Sequence, residues 1–130
     1  MRKNLFMLTA VGEGGIGLLL LMLPAVVCSI LLGIDSPSPE AVVMSRFAGA
    51  ALTAIGVACW LVRRDGDSAG QRGILVGVFT YDVAAAALLA YVAIVRNMVG
   101  IALWPAVVIH AALATRCAAC LRLGDTRDNV

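Results

Sequence analysis

Glu13, Asp82 and His110 sit inside stretches that are otherwise apolar. Glu13 is the one charged residue between Lys3 and Asp35, Asp82 the one between Arg72 and Arg96, and His110 is the chain's single histidine. A charge at mid-bilayer costs about 2.5–3.5 kcal/mol on insertion scales, so such groups turn to the bundle interior and find partners. At about 1.5 Å of rise per residue, Glu13 falls about 13 Å, Asp82 about 14 Å, Thr53 about 15 Å and His110 about 9 Å from the basic ends of their segments. Four segments therefore bring Glu13, Thr53, Asp82 and His110 to one layer. Tyr81 adjoins Asp82 but is turned from it by about 100°, and Thr9 lies one turn below Glu13. Three kinds of chemistry fit this layer. It is a hydrogen-bonded network that fixes helix register, a proton or cation site relayed by His110, or a polar pocket. Such a pocket would take a lipid headgroup, a quinone-like ring, or a metal held by two carboxylates and one imidazole. A lone histidine gives no bis-histidine pair for haem. No cofactor and no metal are assigned.

The elements that must position these residues follow from composition. Of 130 residues, 62% are hydrophobic and 14% are Asp, Glu, Lys or Arg. That excludes a soluble globular domain, a disordered chain and a secreted disulfide scaffold. A net charge of +2 gives no concentrated basic face for nucleic acid. Charges and turn residues cut the chain into four spans, at about 5–33, 41–62, 73–95 and 98–118, each near the 20 or so apolar residues a bilayer requires. The links are the GIDSPSPE turn at 33–40, the polar loop RRDGDSAGQR at 63–72, and a tight turn at Arg96-Asn97. Short links predict one all-α domain over 1–130, a polytopic up-down-up-down bundle of four transmembrane helices.

Arginine and lysine orient the bundle. Arg2, Lys3, Arg63, Arg64, Arg72, Arg116, Arg122 and Arg127 fall on one side, and Arg46 and Arg96 toward the other, so both termini are expected in the cytoplasm. Trp104-Pro105 then lies at the outer interface and Trp60 near the inner one. Arg46 reads as an anchor that reaches outward or pairs with Glu40 or Asp35. The N-terminal apolar run exceeds the 7–15 residues or so of a signal-peptide core, and Ala25-Val26-Val27 before Cys28 does not make a lipobox. The first helix is expected to be retained.

Cysteines and glycines add packing rather than chemistry. Cys117-Ala-Ala-Cys120 has redox or half-metal-site spacing, yet faces the reducing side and has no second C-x-x-C to complete a zinc site. Cys28 and Cys59 fall at opposite depths and do not pair. GEGGIG at 12–17 matches the dinucleotide fingerprint literally, but lies in a membrane helix rather than a βαβ unit. Gly14 and Gly17, Gly49 and Gly56, and Gly73 and Gly77 read as close-packing seams, within the bundle or between protomers. A faint repeat pairs Ala50-Ala51-Leu52 and Cys59 with Ala111-Ala112-Leu113 and Cys120, as parallel helix pairs would.

VGEGGIGLLLLMLP, RFAGAAL with its CWLVRRD ending, and LWPAVVIHAALATRCAAC together make the whole chain resemble small uncharacterised four-helix bacterial inner-membrane proteins. The resemblance implies a bacterial inner-membrane location and carries over no catalytic residue. No P-loop, nucleophile elbow or H-E-x-x-H is present, and the links are too short to build a cleft, so no enzymatic activity is expected. The sharpest expectation is proton- or cation-coupled passage of a small solute through the polar layer. An accessory or assembly subunit of a larger membrane complex is the rival, and binding of a lipid or quinone-like amphiphile is the third. The bilayer is the certain partner, joined by a second copy of the chain or by a larger complex.

Overall fold

Proline decides where the first apolar run stops being one helix. The computed structural model describes residues 2–66 and 68–125, and Arg127, counted above on the basic side, lies outside them. Its helices are α1 (Arg2–Met22), α2 (Pro24–Leu32), α3 (Pro39–Val62), α4 (Ala69–Val95) and α5 (Leu103–Asp125), with no strand among the described residues. Pro24 has no N–H to give and its ring crowds the carbonyl four residues back, so Leu23 leaves the helix at φ −130°, ψ 52°. The expected first span over 5–33 is therefore two helices. Four helices, α1, α3, α4 and α5, are long and apolar enough to cross a membrane.

The links are built by recognisable local chemistry. α2 ends on Gly33 at φ 72°, where the amides of Gly33 and Ile34 donate to the carbonyls of Ser29 and Cys28. Ser38 and Ser68 cap α3 and α4 by accepting from the amides of Ala41 and Gln71. α4 thus begins inside what the sequence reads as a loop. Ser68-x-x-Gln71 is the signal for that start, but the Gln71 side chain departs from a full capping box. Its Nε2 donates instead to the carbonyl of Val62 at 3.0 Å and ties the end of α3 to the start of α4. The last link is longer than the expected turn at Arg96-Asn97. Asn97 at φ 52° breaks α4, and residues 96–102 lie over the end of α2, with Ala102 N–H donating to Ile30 at 2.9 Å. α5 consequently starts at Leu103 rather than near 98, with Pro105 in a first turn that does not use its missing N–H.

Many large apolar side chains face outward while a few polar ones are buried. Leu8, Val11, Phe47, Leu61, Leu88 and Ile94 are all exposed, whereas Thr9, Glu13, Gln71 and Asp82 are buried. That pattern fits helices long and apolar enough to cross a membrane, where hiding leucine gains little and small residues allow close helix contacts. α1 packs chiefly on α3, and α4 on α5. One apolar cluster joins all four long helices, from Leu5, Phe6 and Ala10 to Cys59, Leu75, Val78, Leu113, Cys117 and Cys120. It gathers the start of α1, the end of α3, the start of α4 and the end of α5. Arg2 crosses the same end, donating to the carbonyl of Cys120 at 3.2 Å.

Candidate functional site

α1, α4 and α5 each place one ionisable residue one turn inward from this apolar cluster. Glu13 follows Ala10 by three residues, Asp82 follows Val78 by four, and His110 precedes Leu113 by three. Those spacings keep each on the helix face its cluster residue already buries. Asp82 has no exposed surface, Glu13 is buried, and the His110 side chain keeps 14% exposure. Their ligand atoms all lie within 4.8 Å of one another.

His110 Nδ1 stands 2.9 Å from Oδ1 of Asp82 and 3.9 Å from Oε1 of Glu13. An ionised carboxylate only accepts, so against ionised Asp82 the Nδ1–H of His110 donates. One proton on one nitrogen cannot serve both acids at hydrogen-bond length. Oδ2 of Asp82 is buried with no partner, and so is the hydroxyl of Thr9, one turn from Glu13 on the same side of α1. Leaving a buried polar group unpaired costs about 1–3 kcal/mol, more when it is charged. The centre thus holds three convergent donors and acceptors with unused capacity. Such a constellation can take up a proton, a cation or a water.

The other expected members are placed differently. The Tyr81 ring meets His110 edge to face, with centroids 5.6 Å apart and planes at 81°, and so walls the imidazole. Thr53 is not drawn into the centre. Its hydroxyl donates to its own helix, to Gly49 O at 2.8 Å, and the residue lies against Gly17. At the layer of Glu13, α3 presents Gly56 instead.

Glycine positions divide the same way. A Cβ at Gly17 would stand 2.6 Å from Thr53 N and 2.7 Å from Gly49 O. One at Gly49 would stand 2.7 Å from Gly17 O, and one at Gly56 2.8 Å from Gly14 Cα. Gly14, Gly17, Gly49 and Gly56 are therefore the seam that lets α1 and α3 touch backbone to backbone, and it holds Glu13 in place. Gly73 and Gly77 form no such seam in the bundle, since both are exposed with nothing within 4 Å of a Cβ. Cys117 and Cys120 are free and buried in the apolar cluster with Cys59, and Cys28 faces Ser45 at the far end, Sγ to Oγ 3.3 Å. Sequence reasoning missed Gln71 and Gly100. The first was announced by the Ser68 cap, while Gly100, pressed against the Leu31 carbonyl, has no local signal.

Comparison with protein-family models, with curated proteins and with solved structures gives no match. The chemistry of the centre is therefore the ground for a functional reading.

Proposed function

We propose that this chain is a small, non-catalytic integral membrane protein in which Glu13, Asp82 and His110 bind the coupling ion, a proton or a cation, for passage of a small solute. The observation that carries the reading is the fully buried Asp82 carboxylate, which shares one imidazole with Glu13 and keeps Oδ2 unpaired. Two acids and one imidazole leave net negative charge unless a proton or cation joins them, and ionisable groups inside membrane segments recur on ion pathways. Arg2, Lys3, Arg63, Arg64, Arg72 and Arg122 lie at the end of the bundle gathered by the apolar cluster. That supports an up-down-up-down arrangement with both termini in the cytoplasm of a bacterial inner membrane.

The test is flux in proteoliposomes carrying an internal pH dye and an imposed cation or pH gradient. Wild type is expected to dissipate the gradient, and Glu13→Gln and Asp82→Asn to abolish this while keeping helical circular dichroism. No flux in wild type, or full flux in both variants, refutes the reading.

A second reading has its own support in the open face of α4 around Gly73 and Gly77. A second copy, or a subunit of a larger membrane complex, would seat its backbone there. Copurification of a partner that is lost on Gly77→Leu would establish it, and a monomer by mass in mild detergent would exclude it.

A further inference from the structure

We infer that Glu13, Asp82 and His110 form a binding site for a divalent first-row transition-metal ion of the zinc or manganese kind. This rests on the reading of the centre as an ion site and names the ion. The sequence alone assigned no metal, because spacing along four segments does not show which atoms converge.

Geometry comes first. Metal–ligand lengths of about 2.0–2.2 Å in a tetrahedral site put neighbouring ligand atoms about 3.3 Å apart. His110 Nδ1 stands 2.9 Å from Asp82 Oδ1 and 3.9 Å from Glu13 Oε1, on either side of that spacing. All three ligand atoms lie within 4.8 Å of one another. Among the described residues this is the one group of three or more such ligands.

Charge selects the valence. With the imidazole proton on Nε2, so that Nδ1 coordinates the ion instead of donating to Asp82, two carboxylates and a neutral imidazole are balanced by a doubly charged ion, leaving a neutral site in a medium where net charge is costly. A singly charged ion leaves one negative charge over. Ligand type selects the class of metal: one imidazole nitrogen with two carboxylates suits zinc, manganese or iron(II), whereas calcium and magnesium favour all-oxygen shells and copper(I) favours sulfur. Cys59, Cys117 and Cys120 belong to the apolar cluster one turn away and not to this group.

Unused capacity is the independent observation. Asp82 Oδ2 is fully buried without a partner and belongs to the residue whose other oxygen already meets the imidazole. An ion held by both oxygens of that carboxylate, or by Oδ2 in place of Oδ1, satisfies the orphaned atom. Three protein ligands also leave a coordination position for water or a passing solute group.

The experiment uses the whole chain in detergent, stripped with EDTA, desalted and titrated with zinc chloride. One zinc per chain is expected by elemental analysis, and Glu13→Gln, Asp82→Asn and His110→Gln should each weaken binding by at least about tenfold. Zinc-edge X-ray absorption on wild type should give nitrogen and oxygen neighbours including an imidazole, and this readout does not depend on any variant folding. Absence of stoichiometric zinc, or a sulfur shell pointing to the cysteines, overturns the site. Flux in a protein that takes up no stoichiometric zinc overturns the site and spares the passage reading, whereas zinc binding without flux supports the site and removes that reading.

Discussion

Between α1 and α3 the chain removes side chains so that two backbones touch; between α4 and α5 it inserts an acid and a base. Gly17, Gly49 and Gly56 leave no room for a Cβ, while α4 turns its own Gly73 and Gly77 to open space and meets α5 through Asp82 and His110, beside the apolar cluster that joins Leu75 and Val78 to Leu113 and Cys117. The two contacts divide the labour. A glycine seam stabilises through close dispersion contact and fixes where Glu13 stands, but it offers nothing to bind. On the proposed function the polar pair binds, and as a fastening it is weak: interhelical hydrogen bonds in membrane proteins average about 0.6 kcal/mol and reach about 1.7. Fold stability should therefore depend on the seam, and ion chemistry on the pair.

The strongest way to break that division is Gly56→Leu. Its Cβ would meet Gly14 Cα and N at 2.8 Å, and both are backbone atoms that cannot rotate away. Separating α1 from α3 is expected to destabilise by at least about 3 kcal/mol, above the usual overpacking range because backbone must yield. Thermal unfolding in detergent, followed by circular dichroism, checks this; an unchanged midpoint would show that the seam is not the principal fastening.

Gly100→Ala is the next largest. Gly100 presses against the carbonyl of Leu31, where the 96–102 link lies over α2. A methyl group there is expected to push the link off and cost about 1–3 kcal/mol. Proteolysis within the link should then accelerate, with flux preserved because the polar centre is remote from it.

What the sequence revealed, and what it did not, follows the same physics. Apolar runs of membrane length reveal long helices because no other backbone satisfies its polar groups in lipid. Counting residues along those helices placed Glu13, Asp82 and His110 at one depth, and their ligand atoms do fall within 4.8 Å. Depth is one coordinate only. Thr53 has a matching depth, but its place on the face with Gly49 and Gly56 points it to the seam, and a threonine hydroxyl can satisfy itself on its own helix. The break at Pro24 stayed hidden because proline is tolerated in membrane helices when neighbours satisfy the freed backbone groups. A small-xxx-small pattern likewise says that a close approach is possible without naming a partner. Hence Gly49 and Gly56 meet α1, while Gly73 and Gly77, equally legible, meet nothing in the bundle.

Asp82→Asn sharpens the contrast from the side of the polar pair. The amide is nearly isosteric and still able to bond His110, so stability should fall by no more than about 1.7 kcal/mol. Ion flux should be lost altogether. A double-mutant cycle of Asp82→Ala with His110→Ala, each of which removes the interaction, should return a coupling energy between about 0.6 and 1.7 kcal/mol. A coupling well above that range would mean that the pair is a structural fastening after all, and the division between seam and site would fail.

The smallest effect is expected from Gly77→Ala, which sets the same small change used against the seam on the open side of α4. No atom lies within 4 Å of the added methyl group. Alanine is the better helix former by about 1 kcal/mol in a helix interior, so folding should be unchanged or slightly improved. Gly17→Ala, by contrast, meets Thr53 N at 2.6 Å and should destabilise. Unfolding midpoints of the two variants, measured side by side, should move in opposite directions. If Gly77→Ala instead lowers the midpoint in a concentration-dependent way, a backbone from another molecule occupies that face. The seam chemistry of α1 and α3 would then recur between chains.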